Sequence, residues 1–134
     1  MATISIQYQG DLHCSAVHEP SGTTIQTDAP KDNQGRGAAF SPTDLVATAL
    51  GSCMMTIMGI YARRLDIDLT GAGCEVTKHM STSPRRIGKL EVVFRMPRGI
   101  EQDVRTKLEK GALTCPVHHS LHPDIEVDLR FEWK

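Results

Sequence analysis

An uncharged run in the first half of the chain, residues 45–62, constrains the fold more than any other segment. Residues 41–44 (S-P-T-D) precede it and are typical of a helix start, with Ser at the N-cap, Pro at the first helical position and an acid three residues after the cap. Arg63 and Arg64 follow the run, where cations suit the C-terminal end of a helix dipole. The sequence therefore predicts a long helix that is apolar on all sides and must be buried on all sides.

Eighteen uncharged residues also reach the lower limit for a membrane-spanning helix. Six small or polar residues reduce the hydropathy of this run, namely Thr48, Gly51, Ser52, Cys53, Thr56 and Gly59. The run also lies between β-type segments that need a soluble core to cover. We therefore expect a central helix buried by sheet and by a second subunit, with no membrane association.

β-type alternation flanks this helix on both sides. Three strands are expected between residues 3 and 27, with a turn at Gly10-Asp11, followed by an exposed loop over residues 28–40 that is rich in Gly, Pro, Asp and Asn. The second half contains five further predicted segments: an antiparallel strand pair at 71–81 and 89–96, an amphipathic helix at 99–113, a short helix starting at 114–117, and a final strand at 125–133. At 134 residues the chain is expected to form one domain, residues 1–134, of the α+β class.

Composition restricts the partners of the chain. It carries 15 basic and 16 acidic residues, so its formal charge is −1, and no basic excess or polybasic run exists to attract nucleic acid or a lipid surface. The opening residues, MATISIQYQG, have neither the positive region nor the apolar region of a signal peptide. We therefore expect a cytoplasmic protein whose partner is a small molecule or another copy of the same chain.

Four cysteines in a reducing cytosol are usually buried thiols, metal ligands or redox-active groups. Cys53 lies midway along the predicted helix, where a small apolar core residue is the ordinary interpretation. Cys115 precedes Pro116 at a helix start, where backbone N–H groups favour the thiolate, so position alone makes Cys115 the more acidic thiol. Cys14 and Cys74 lie in predicted strands without such a context and are interpreted as structural.

A metal site is one alternative for the second cysteine segment. Cys115, His118 and His119 form a C-x-x-H-H run that His122 follows, and zinc binds Cys and His. The chain has no C-x-x-C pair, and consecutive His residues on a helix point about 100° apart. We therefore expect neither a metal nor another cofactor. A hydrolase-type Cys/His pair is also conceivable, but no spacing favours it.

Two segments together carry a resemblance: residues 41–55 (SPTDLVATALGSCMM) and residues 114–121 (TCPVHHSL). They resemble the OsmC/Ohr family, in particular its OsmC-like branch, in which a Pro-acid-Leu helix start precedes a central-helix cysteine and a Cys-Pro-Val turn follows some sixty residues later. The resemblance implies an intertwined homodimer of α+β subunits, with antiparallel sheets wrapped around long, buried central helices.

The same resemblance implies a thiol-dependent peroxidase that reduces organic or lipid hydroperoxides in an oxidative or osmotic stress response. Cys53 corresponds to the peroxidatic cysteine, which becomes a sulfenic acid, and Cys115 to the resolving cysteine, which closes a disulfide that an external dithiol reduces. The family also holds an Arg against a carboxylate beside the reactive thiol. Arg36 and Asp44 are the candidates here.

The chain departs from the family pattern at the carboxylate. Peroxidases of the family place Glu ten residues before the peroxidatic cysteine, where this chain has Thr43, and the acid comes one residue later, at Asp44. One residue along a helix rotates a side chain by about 100°. The departure leaves open a second function, a dimer of the same fold that senses redox state or binds a small ligand with little peroxidase turnover.

Overall fold

The computed structural model describes the whole chain, residues 1–134, which divides into two units, Met1–Val46 and Ala47–Lys134. The first unit contains an antiparallel sheet of three strands in the order β1 (Ile4–Tyr8), β2 (His13–His18), β3 (Thr24–Asp28). Gly10, with a φ of 85°, lies in the turn between β1 and β2. The predicted hairpin and third strand are confirmed.

The expected exposed loop over residues 28–40 is only partly correct. Its first residue, Asp28, ends β3 and is 2% exposed. The remainder contains a short 3-10 turn (Lys31–Asn33) and returns to the sheet through a parallel bridge between Thr27 and Phe40. The prediction is wrong at Asp28 because strand pairing places this residue in the interior. A composition rich in turn-forming residues gives no indication of such pairing.

The long helix, α1 (Pro42–Arg64), begins where the sequence predicts. The Asp44 backbone N–H donates to Ser41 Oγ at 3.1 Å, and the Ser41 backbone N–H donates to Asp44 Oδ2 at 2.9 Å. These reciprocal bonds form a capping box that satisfies donors the helix cannot satisfy itself. The helix start is therefore fixed by local chemistry.

Burial of α1 differs from the expectation. Six residues are buried, at a spacing that marks one face of the helix: Ala47, Leu50, Gly51, Met54, Met58 and Ala62. Other positions along the helix are exposed, including Thr56 and Ile60. Burial on all sides is thus wrong for the single chain. By length and composition α1 could also cross a membrane, a property that the core helix of a soluble protein shares.

The second unit contains a mixed sheet in the order β4 (Gly73–Ser81), β5 (Arg86–Met96), β6 (Glu126–Trp133). β4 and β5 are antiparallel, as predicted, whereas β5 and β6 are parallel. The expectation of purely antiparallel sheets is therefore wrong here. Two helices, α2 (Gln102–Ala112) and α3 (Pro116–Ser120), separate β5 from β6, and such a crossover is the connection that parallel strands require.

Strand β5 supplies much of the core of the second unit. Its residues alternate, and Leu90, Val92, Phe94 and Met96 are buried. The Phe94 ring stacks on Phe131 of β6 with 4.6 Å between ring centroids and 8° between ring planes. The parallel register places these two rings opposite each other. This sheet and the buried face of α1 belong to the unit that contains both candidate reactive cysteines.

Candidate functional site

Cys53 is half-buried on α1, two residues after Gly51. A Cβ atom on Gly51 would lie 2.8 Å from Val76 Cγ2 and 3.1 Å from Cys74 Sγ, closer than ordinary packing allows. The missing side chain therefore lets the α1 backbone lie directly against β4 at this point. This close approach fixes the position of the helix turn that carries Cys53.

Cys115 is the N-cap residue of α3, with Pro116 at the first helical position, as the sequence predicts. Its side chain is buried, and its Sγ accepts a hydrogen bond from the His118 backbone N–H at 3.4 Å. The cap holds the sulfur at the end of a short helix, in the interior of the unit.

The structure brings the two sulfur atoms together. The Cys53 side chain lies close enough to the Cys115 thiol to raise its pKa, and both cysteines are free thiols rather than a disulfide. The two residues are far apart in sequence, and the fold of the second unit alone places them in contact. Two thiols in contact can be oxidised to a disulfide without a large movement of the backbone.

Burial raises the pKa of the Cys115 thiol above its ordinary value, and the neighbouring Cys53 side chain raises it further. The backbone N–H groups of His118 and Val117 act in the opposite direction but do not outweigh these effects. The expectation that the helix start favours the thiolate of Cys115 is therefore wrong. Cys115 stays protonated at neutral pH and can donate its S–H toward the Cys53 sulfur.

His118 and His119, the other members of the C-x-x-H-H run, have ring centroids 5.9 Å apart. The Nδ1 atom of His118 is buried without a hydrogen-bond partner. No cluster of three or more His, Cys, Asp or Glu side chains suited to a metal ion is present in the structure.

Arg36 lies in the first unit beside a buried carboxylate. Its Nη2 atom is 3.5 Å from Asp28 Oδ1, while the Arg36 side chain remains 59% exposed. His13 Nδ1 donates to the same oxygen at 2.6 Å, and the Ala38 backbone N–H donates to Asp28 Oδ2 at 3.1 Å. The hydrogen bond from His13, with smaller contributions from the charges of His13 and Arg36, lowers the pKa of Asp28. The carboxylate is thus ionised and holds the loop that contains Arg36.

Asp44, the acid that the sequence pairs with Arg36, serves in this structure as the cap of α1. Sequence reasoning missed Asp28 as a carboxylate partner of Arg36. Strand register could have identified Asp28, because His13 and Asp28 are paired residues across β2 and β3. That pairing places both side chains on the same face of the sheet.

Comparison with known proteins gives the family and the fold of this chain. The OsmC-like protein family model matches residues 34–130. A solved structure from Psychrobacter arcticus, assigned to the osmotic stress-induced and detoxification response, is 47% identical, has a TM-score of 0.95, and is matched over 98% of this chain and 96% of that one. This chain belongs to the OsmC-like protein family. No functionally curated protein matches it at a significant level.

More distant OsmC-like structures share the fold. An OsmC-like protein from Mycoplasma pneumoniae has a TM-score of 0.83 at 16% identity, over 99% of this chain and 96% of that one. An organic hydroperoxide resistance protein from Legionella pneumophila has a TM-score of 0.75 at 17% identity, over 98% and 96%. The α+β fold with two small sheets and a long helix is therefore that of OsmC-like proteins.

The remaining cysteines of this OsmC-like chain lie in strands. Cys14 is half-buried in β2, opposite Tyr8. Cys74 is half-buried in β4, and burial raises its pKa. The raised pKa of Cys74 fits its interpretation as a structural residue, since a protonated thiol is a poor nucleophile.

Proposed function

We propose that this OsmC-like protein is a thiol-dependent peroxidase that reduces organic hydroperoxides. The observation that carries the proposal is the proximity of the Cys53 and Cys115 thiols within one chain. The likeness in fold to the Legionella organic hydroperoxide resistance protein supports the same chemistry. The 47% identical Psychrobacter protein, assigned to a detoxification response, supports a role in oxidative or osmotic stress.

The first step uses the Cys53 thiolate. Its sulfur attacks one peroxide oxygen, so that an S–O bond forms and the O–O bond breaks. The alkoxide leaves and takes up a proton to become the alcohol. Cys53 is oxidised to a sulfenic acid while the hydroperoxide is reduced.

The second step uses the buried Cys115 thiol. The Cys115 sulfur attacks the Cys53 sulfur, the S–O bond breaks, and the hydroxyl group leaves as water with the proton from Cys115. A Cys53–Cys115 disulfide remains, and an external dithiol reduces it to two thiols as it becomes a disulfide itself. Because Cys115 is protonated in the resting state, it carries the proton that the departing hydroxyl group requires.

A positive charge is needed to keep a half-buried thiolate ionised. In line with the family resemblance, we assign this role to Arg36, with Asp28 as the carboxylate that orients its guanidinium. In this proposal Asp44 stabilises the start of α1, and Asp28 rather than Asp44 is the carboxylate partner of Arg36. We place the protein in the cytoplasm, where dithiol reductants are supplied.

The direct test is consumption of tert-butyl hydroperoxide by the reduced protein in the presence of a dithiol such as dithiothreitol. Catalytic turnover, with many equivalents consumed per chain and no added metal, is the expected result. A Cys14→Ser/Cys74→Ser variant is the matched control and is expected to retain activity, because both residues lie in strands outside the thiol pair.

Two other results of this assay would reject the proposal. Loss of two thiols per chain without turnover would identify a redox sensor. No loss of thiols under peroxide would leave a small-ligand-binding protein with the OsmC-like fold.

An exposed apolar face on the first sheet supports a homodimer. Cross-strand pairing places Ile6 opposite Ala16, Tyr8 opposite Cys14 and Ala16 opposite Ile25, so these side chains share one face. Ile6 is 69% exposed and Tyr8 is 63% exposed. Contiguous apolar patches of this kind mark interaction surfaces. We propose that a second copy covers this face, as the family resemblance implies, together with the exposed side of α1.

Sedimentation equilibrium tests the dimer. The wild-type chain is expected to sediment as a dimer at micromolar concentration, and an Ile6→Asp/Tyr8→Asp variant as a monomer, because it would bury two unpaired carboxylates at the interface. A Ser5→Asp/Gln7→Asp variant carries the same charge on the opposite face of β1 and is expected to remain dimeric. A monomeric wild type, or equal dissociation of both variants, would rule out this interface.

A further inference from the structure

A cavity lies in the same unit as the thiols but does not include them. Its volume is about 330 Å³, and it is lined by Tyr61, Arg64 and Leu65 of the α1 end and by Lys107 and Lys110 of α2. This volume falls at the lower end of the range of small-molecule sites in proteins, about 300–1,000 Å³. Neither the peroxidase cycle nor the dimer face proposed on the first sheet uses these residues.

The floor of the cavity forms where α2 lies close to the Tyr61 ring. A Cβ atom on the buried Gly111 would lie 2.7 Å from Tyr61 Cδ2, so only glycine lets the α2 backbone rest on this ring. The Tyr61 ring and Leu65, which is 40% exposed, provide an apolar floor. The aliphatic stems of the two lysines add apolar walls, while their charged ends stay at the rim.

The rim is positively charged and contains no acid. Elsewhere in the unit basic side chains have carboxylate partners: Lys89 contacts Glu91 and Glu126, and Arg95 contacts Glu75. By contrast, none of the three cations of the cavity forms an ion pair. Arg64 instead lies over the Tyr61 ring, with its Cζ atom 5.7 Å from the ring centroid.

We propose that this cavity binds an amphipathic monoanion, namely the carboxylate of an aliphatic chain of medium length. The carboxylate would accept charge-assisted hydrogen bonds from Lys107, Lys110 and Arg64, and the chain would lie on Tyr61 and Leu65. Tyr61 and Arg64 are eight and eleven positions after Cys53, which corresponds to roughly 12–16 Å along a helix. The bound carboxylate therefore leaves the thiol pair free. Binding at this site does not depend on the peroxidase activity.

The test uses sodium decanoate as the probe, with amide chemical shifts of the full chain as the readout. Saturable shifts are expected at residues 61–65 and 107–111. Decanol, which has the same chain without the charge, and acetate, which has the charge without the chain, are each expected to bind at least about tenfold more weakly, a difference of about 1.4 kcal/mol. A Cys53→Ser chain is expected to bind decanoate as the wild type does.

A Lys107→Gln/Lys110→Gln variant is expected to lose at least about tenfold in decanoate affinity. A Lys31→Gln/Lys134→Gln variant removes the same charge elsewhere and is expected to stay within twofold. Equal losses in both variants, or shifts that do not map to the cavity in the wild type, would overturn the proposal. Binding to phosphatidylglycerol vesicles without binding of decanoate would also overturn it and would identify a membrane surface as the partner.

Discussion

Replacing Cys53 with serine is expected to abolish hydroperoxide consumption, with a loss on the order of a thousandfold or more, as for removal of other catalytic nucleophiles. A serine hydroxyl cannot form the sulfenic acid that the cycle requires. Steady-state consumption of tert-butyl hydroperoxide with dithiothreitol measures the loss. Retention of wild-type activity by Cys53→Ser would show that the reactive group lies elsewhere.

A Cys115→Ser variant separates the role of Cys53 in the first step from the role of Cys115 in the second. A Cys115→Ser chain is expected to consume about one equivalent of hydroperoxide per chain in the absence of reductant, because the first step needs only Cys53. The reaction then stops at the Cys53 sulfenic acid, which dimedone traps for detection by mass spectrometry. A Cys115→Ser chain that never reacts would assign the first attack to Cys115 and so contradict the order of the steps.

Replacing Phe94 with alanine is expected to lower the free energy of unfolding by roughly 3–5 kcal/mol. The ring is fully buried and stacked on Phe131, so the change removes both transfer free energy and packing contacts and leaves a cavity in the core of the second unit. For a chain of this size the midpoint of thermal unfolding should fall by about 10–20 °C.

A Phe94→Leu variant is the control for this measurement, since leucine refills most of the space and is expected to lose less than half as much stability. Calorimetry at one fixed protein concentration is the appropriate measurement, because association of subunits would also shift the midpoint. A loss below about 1 kcal/mol for Phe94→Ala would mean that the second unit does not depend on this aromatic stack.

The features that local chemistry decides were predictable from the sequence. Ser41 and Asp44 form the capping box that the S-P-T-D segment predicts, and Cys115 with Pro116 opens α3 as expected. Caps of this kind depend on residues within one turn of each other. The helix start and the strand alternation in β5 therefore follow from the sequence before any tertiary structure is known.

The features that tertiary packing decides were not predictable. β6 is parallel to β5, a pairing that the two intervening helices allow, and alternation within a strand does not reveal the direction of its neighbour. The pKa of Cys115 is raised because the sulfur is buried against Cys53, an effect that outweighs the helix start. Asp28 is buried because it lies opposite His13 across two strands, although its neighbours are turn formers.

The measurement that bears most directly on the thiol pair is peptide mapping after oxidation. The reduced wild-type chain is treated with one equivalent of tert-butyl hydroperoxide, digested without reductant and examined by mass spectrometry. A single disulfide that joins Cys53 to Cys115 within one chain is the predicted product. Free thiols at both positions, or a Cys53 oxidised to the sulfinic acid beside an intact Cys115, would contradict the proposed cycle.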